Sequence, residues 1–133
     1  MDYNYLKVGN GADSIEFTGS LSPSQIIPGI ELIKNIERAL NGKLHVDITA
    51  SKQKLQIIFD ILGQEEFEQV LDIFKAENTD EIDPEGLSVE YFDLRNSGVK
   101  TERKFFVESV SFMPYIVEND VKWRDIVVDL LEI

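Results

Sequence analysis

The only histidine in the chain stands in "KLHVDIT" (residues 43–49), two places before Asp47. A carboxylate beside an imidazole can orient the ring for general-base work. On a strand, two positions separate the Cα atoms by about 6.5–7 Å, so His45 and Asp47 would meet only if their side chains leaned together. Lys43 and Thr49 occupy the same alternating positions, and four successive polar points describe the solvated face of a strand. No Gly-x-Ser-x-Gly elbow offers a nucleophile. A second histidine and any cysteine are lacking too, so neither a zinc site nor a thiolate is on offer. The expectation is a non-enzymatic protein with no catalytic, cofactor-binding or metal-ligating residue.

The remaining chemistry-bearing groups read the same way. Asp80, Asp83 and Glu85 could hold a hard cation, but they lack the alternating oxygen spacing and distal glutamate of an EF-hand, and a solvated loop is the simpler reading. Gly9-Asn10-Gly11 has neither a third glycine nor a helix after it, which makes it a turn and not a phosphate cradle. Lys100, Arg103 and Lys104 precede Phe105 and Phe106, a juxtaposition that can stack single-stranded nucleic acid. The two phenylalanines fall on opposite faces of a strand, so one of them is core and the basic residues suit an acidic protein neighbour better. Trp123, between Lys122 and Arg124, is read as core, with an interface anchor as the alternative.

The elements that must carry these residues belong to a globular chain. Its 133 residues are 43% hydrophobic and 10% aromatic, enough for one domain spanning 1–133. With 13 Lys and Arg against 25 Asp and Glu the formal charge is -12, which repels phosphate and anionic lipid. Proteins, cations, or DNA that slides past without sticking are the compatible partners. The N-terminal residues show no basic segment leading into an apolar one, and no run of about 18 apolar residues occurs, so a soluble protein made in the cytoplasm is expected.

Strand patterns alternate with turn signals along the chain. "YNYLKV" (3–8) and "SIEFTG" (14–19) suggest a hairpin across the glycines, and "SLSPSQ" (20–25) a loop. "IIPGIELIKNI" (26–36) contains Pro28, which cannot donate to a ladder, and so is expected at a sheet edge or broken there. Residues 37–43 are expected to form a loop ending in the turn signal Asn41-Gly42. Two half-buried strands should follow, with Leu44, Val46 and Ile48 inward in the first and Leu55, Ile57, Phe59 and Ile61 inward in the second, paired across a turn at "SKQ".

After Gly63 the period changes. Phe67, Val70, Leu71 and Phe74 in "QEEFEQVLDIFKA" (64–76) form one helical stripe, and Glu65 and Glu66 suit the positive end of the helix dipole. "ENTDEIDPEG" (77–86) reads as an acidic loop, and strands are expected at 87–94, 99–117 and 121–133. The order predicts an α+β, mainly β fold: an antiparallel bent sheet or β-sandwich of about seven to eight strands with one packed helix.

The run "NGKLHVDITASKQKLQIIFDILGQEEFEQVLDIF" (41–74) resembles a segment of small tail proteins of phages and prophages of Gram-positive bacteria. The C-terminal "VEYFDLRNSGVKTERKFFVESVSFMPYIVENDVKWRDIVVDLLEI" (89–133) is similar to their ending, with a Tyr-Phe-Asp strand, a Pro-Tyr step and a closing Leu-Leu-Glu. The pattern departs at Phe105–Glu108, where such proteins carry an aromatic-valine-glycine step. This resemblance implies a structural part of a tail tube or distal tail, a bent sheet with a flanking helix that assembles with itself and neighbouring tail proteins into a ring around the channel. It also implies host cytoplasm during assembly and the virion tail afterwards. Two other functions compete: a monomeric protein- or glycan-binding module using loop 77–86, and a hydrolase using carboxylates or His45.

Overall fold

The computed structural model describes residues 4–9, 14–38, 42–74, 86–94 and 98–133, with the backbone alone at 35, 37, 38, 45 and 47–49. In chain order the strands are β1 (Leu6–Val8), β2 (Ile15–Glu16), β3 (Gln25–Arg38), β4 (Leu44–Phe59) and β5 (Leu62–Gly63). After helix α1 (Gln64–Ile73) come β6 (Leu87–Asp93), β7 (Val99–Val117) and β8 (Asp120–Glu132). All eight strands join one antiparallel sheet in the order β2-β1-β6-β7-β8-β4-β3, with β5 continuing beside β8. Among the described residues the fold is therefore mainly β with one α-helix, an open bent sheet.

One face of the sheet builds the core. Leu6, Val8, Leu55, Ile57, Phe59, Val89, Tyr91, Phe105, Ile126, Val128 and Leu130 are buried there. Helix α1 covers them with Phe67, Val70 and Leu71, and Phe74 completes the stripe at its C-terminal end. The bend is visible in one contact. Phe17 follows β2 at one sheet edge, yet its ring lies 5.7 Å from that of Phe59 on β4 near the other edge, and 5.7 Å from Phe74. The sheet curls until its two sides share this aromatic cluster. Asn4, just before β1, donates its Nδ2 to the Ser24 carbonyl at 3.1 Å and so links that side to the start of β3.

Several local expectations hold for stated reasons. β1 and β2 pair, with Lys7 opposite Glu16. β3, which carries Pro28, is the terminal strand of the sheet. Phe105 is buried and Phe106 exposed, as alternation requires. The β7–β8 turn uses Glu118 and Asn119 with φ of 50° and 68°, the left-handed pair that matches strand twist in a two-residue hairpin.

Three expectations are corrected. "SKQ" does not turn: β4 runs unbroken for 16 residues, because its ladder to β3 continues through Ser51 and Lys52. The two half-strands therefore do not pair with each other. Residues 37 and 38 belong to β3, so the hairpin turns near Gly42 (φ 83°) and β3 is the partner of β4. Ile61 is 54% exposed, because the chain leaves β4 at Phe59 and re-enters the sheet only at Leu62. Glu108 is the extra residue of a bulge in β7, and its φ is not positive, so the bulge needs no glycine there.

Candidate functional site

The long strands extend past their neighbours. β8 pairs with β4 from Ile126–Phe59 to Leu131–Lys54 and then ends, while β3 and β4 continue as a pair from Ile30–Gln53 to Arg38–Leu44. Nine residue positions of ladder, about 30 Å at strand rise, thus form a two-stranded arm with no third strand beside it among the described residues. The same geometry at the other end of β8 lets the β7–β8 hairpin overrun β4, where only the short β5 accompanies it through Leu62–Trp123 and Gly63–Lys122. Because β4 and β8 are antiparallel, the arm and this hairpin end lie at opposite ends of the sheet.

The core face of the sheet runs on along the arm. Ile26, opposite Ile57, is 8% exposed, but Ile30 and Leu32, next on that face after Pro28, are open to solvent. Beyond a one-residue bulge at Thr49 the register sets Ile36 against Val46 and Arg38 against Leu44. Ile36 and Leu44 are each 59% exposed, and Val46 is exposed as well. Leu44 and Val46 were expected in the core. They keep the alternation of an inward face, but none of the described residues covers that face at this distance from α1. Ile48 falls among the residues whose side chains are not described.

At the opposite end Phe112, Ile116 and Val121 are likewise exposed. Ile116 and Val121 are register partners, two positions past Pro114 and Trp123 on the face that carries α1. Trp123 marks where the core stops. Its ring stacks on Phe67 at 4.3 Å and meets Phe112 edge-on at 5.4 Å, and its Nε1 donates to Gln64 Oε1 at 2.8 Å. It is half-buried, a wall between core and apolar rim and not a wholly internal residue.

The residues singled out for chemistry are dispersed. His45 and Asp47 both sit on the arm, where the backbone register places them opposite Glu37 and Asn35. Asp80, Asp83 and Glu85, and with them the proposed binding loop, lie outside the described residues, as do Asn10 and Gly11. Gly9 donates its N–H to the Ser88 carbonyl at 2.9 Å, which ties the end of β1 to β6. Among the described residues no three His, Cys, Asp or Glu side chains converge. No helix among them is long and apolar enough to cross a membrane.

The basic cluster finds acids within its own chain. Lys100 Nζ lies 3.2 Å from Glu90 Oε1 and 4.2 Å from the centre of the Tyr5 ring, and Tyr5 donates its hydroxyl to Glu90 at 2.7 Å. The Tyr5 hydrogen bond, with Lys100 and Lys7 beyond it, holds the Glu90 carboxyl below the usual range against the opposing effect of burial. Burial, then Glu90, pushes the Tyr5 phenol up. Arg103 Nη1 donates to Glu132 Oε2 at 2.9 Å. The adjoining cavity of about 120 Å³ is lined by Lys7, Gly9, Ser14, Ser88, Glu90 and Glu102. Ser88 donates its hydroxyl to the Glu102 carboxylate there, while Glu90 is engaged by Tyr5 and Lys100.

The feature that reasoning from sequence missed is thus not a pocket but a pair of exposed apolar strips. Asn41-Gly42 between two apolar runs was the signal for the hairpin; its overhang follows from the β3–β4 pairing running nine positions past Lys54–Leu131. No protein-family model matches the chain, and no curated protein does.

Proposed function

We propose that this chain is a structural subunit of a phage or prophage tail, in the tube or at its distal end, and that it works by assembling with copies of itself and with neighbouring tail proteins. The observation that carries this reading is the arm. A two-stranded hairpin is marginally stable in water, and one that also exposes Ile30, Leu32, Ile36, Leu44 and Val46 along a single face loses the hydrophobic term that would hold it. Exposed apolar strips rimmed and punctuated by polar residues mark interaction surfaces. Burying the strip against another subunit supplies the missing layer.

Two further features support it. The sheet is open, with β2 and β3 as its terminal strands, so strand edges are available for neighbours around a ring. The formal charge of -12 makes a surface along which DNA passes without adhering. In this role the protein occupies the host cytoplasm during assembly and then the virion tail.

The test is sedimentation of the purified protein over a hundredfold range of concentration, with electron microscopy of the heaviest species. Rings or tubes with a central channel are expected. A chain that stays monomeric at every concentration, with or without crowding agent, overturns the reading.

A further inference from the structure

The arm differs from the rest of the chain in charge as well as in exposure. Residues 30–53 hold four Lys or Arg (34, 38, 43 and 52) against three acids (31, 37 and 47), which leaves nine basic residues against 22 acidic ones elsewhere. Lys34 lies within the apolar strip itself, between Leu32 and Ile36 on the same strand, and is exposed. The arm is therefore an apolar strip with a weakly basic border on a strongly acidic protein.

The β7–β8 end has the complementary character. Its apolar strip, Phe112, Ile116 and Val121, lies beside α1, whose four charged residues, Glu65, Glu66, Glu68 and Asp72, are all acidic. Glu118 and Asp120 at the hairpin turn extend the acidic border around the exposed tip, and with Lys122 and Arg124 counted, α1 and residues 112–124 together hold six acids against two bases.

We infer that the arm of one copy docks on the β7–β8 end of the next, head to tail, with apolar strip on apolar strip and the arm's lysines against the acids of α1 and the hairpin turn. This deepens the self-assembly reading and rests on it. A second copy is the occupant because the chain itself carries both halves of the match, on one face and at opposite ends of one sheet. An arm-to-arm contact would set two weakly basic strips against each other and leave the acidic strip uncovered. Unlike surfaces in contact form a heterologous interface, which propagates into a ring or a filament and does not stop at a dimer.

Two variants separate these arrangements. Ile36→Asp spoils the arm and Ile116→Asp spoils the hairpin end; both residues are mostly exposed, so the monomer fold is expected to persist, as circular dichroism and thermal unfolding would show. Val46→Asp and Val121→Asp serve as a second pair should either first variant unfold. Under head-to-tail docking each variant alone is monomeric where the wild type assembles, and an equimolar mixture forms a complex of two chains that grows no further. Lys34→Glu weakens the wild-type association about fivefold at low salt and less at 1 M salt. A dimer formed by Ile116→Asp alone, or normal assembly by both variants, overturns this docking while leaving self-assembly intact. A wild type that never assembles overturns the functional reading itself.

Discussion

The backbone N–H of Gln53 donates to Glu132 Oε1 at 3.1 Å. Lys54–Leu131 is the last residue pair between β4 and β8, so the Glu132 carboxylate adds one rung where the backbone ladder ends and the arm begins. Its other oxygen accepts from Arg103 Nη1 of β7 at 2.9 Å. A single side chain thus ties β7 to the root of the arm across the C-terminal end of β8.

Glu132 should therefore contribute to acid sensitivity. Burial opposes its ionisation, but the Gln53 N–H and the Arg103 guanidinium outweigh burial and hold the carboxyl below its ordinary value of 4.5. Glu90 is lowered as well, chiefly by the Tyr5 hydroxyl. A carboxyl depressed in the folded state stabilises fully above its unfolded range, and the contribution disappears as pH falls through the folded value. Glu132→Gln is expected to cost about 1 kcal/mol at pH 7 and to flatten the fall in stability below pH 4.5, measured by urea midpoints on dilute protein.

The arm should open locally before the body does. Hydrogen exchange at low concentration is expected to be fast at 30–38 and 44–53 and slow at 55–59 and 126–130, which lie within the buried ladder. Raising the concentration into the assembling range should slow exchange in the arm selectively. Equal protection of arm and core in the monomer would mean that the arm is stable without a partner.

Leu71→Asp should unseat α1. Leu71 is buried in the core, and a carboxylate there loses the burial of the leucine and places an unpaired charge under the helix. The expected loss is about 4 kcal/mol, read from the urea midpoint, with new binding of a hydrophobic dye to the uncovered sheet.

Gly86→Ala should cost about 2 kcal/mol. Gly86 precedes β6 with φ 83°, where L residues are disfavoured, and a Cβ would stand 2.7 Å from the Phe105 carbonyl oxygen and collide with the Ile133 side chain. Thermal unfolding of the variant measures the loss. A change below half a kilocalorie would mean that β6 and the C-terminus shift apart easily.

What the sequence determined by itself was periodicity. The 3.6-residue stripe of Phe67, Val70, Leu71 and Phe74 specifies α1 and its buried face, and strict alternation specifies that Leu55, Ile57 and Phe59 share one side of β4. Both patterns are local, set by side-chain geometry within a few residues. Alternation also placed Leu44 and Val46 on one face of their strand, yet it carries no information on whether anything covers that face.

Only the tertiary structure decided that. The β4–β8 pairing reaches Lys54–Leu131, among the described residues α1 covers the sheet toward the hairpin end as far as Phe67 and Trp123, and the same alternating pattern is core at Ile57 and solvent-facing at Val46. Burial depends on non-local neighbours, and so the place where the sheet outruns its covering layer, the assembly surface proposed for this protein, emerged only once the strands were set side by side.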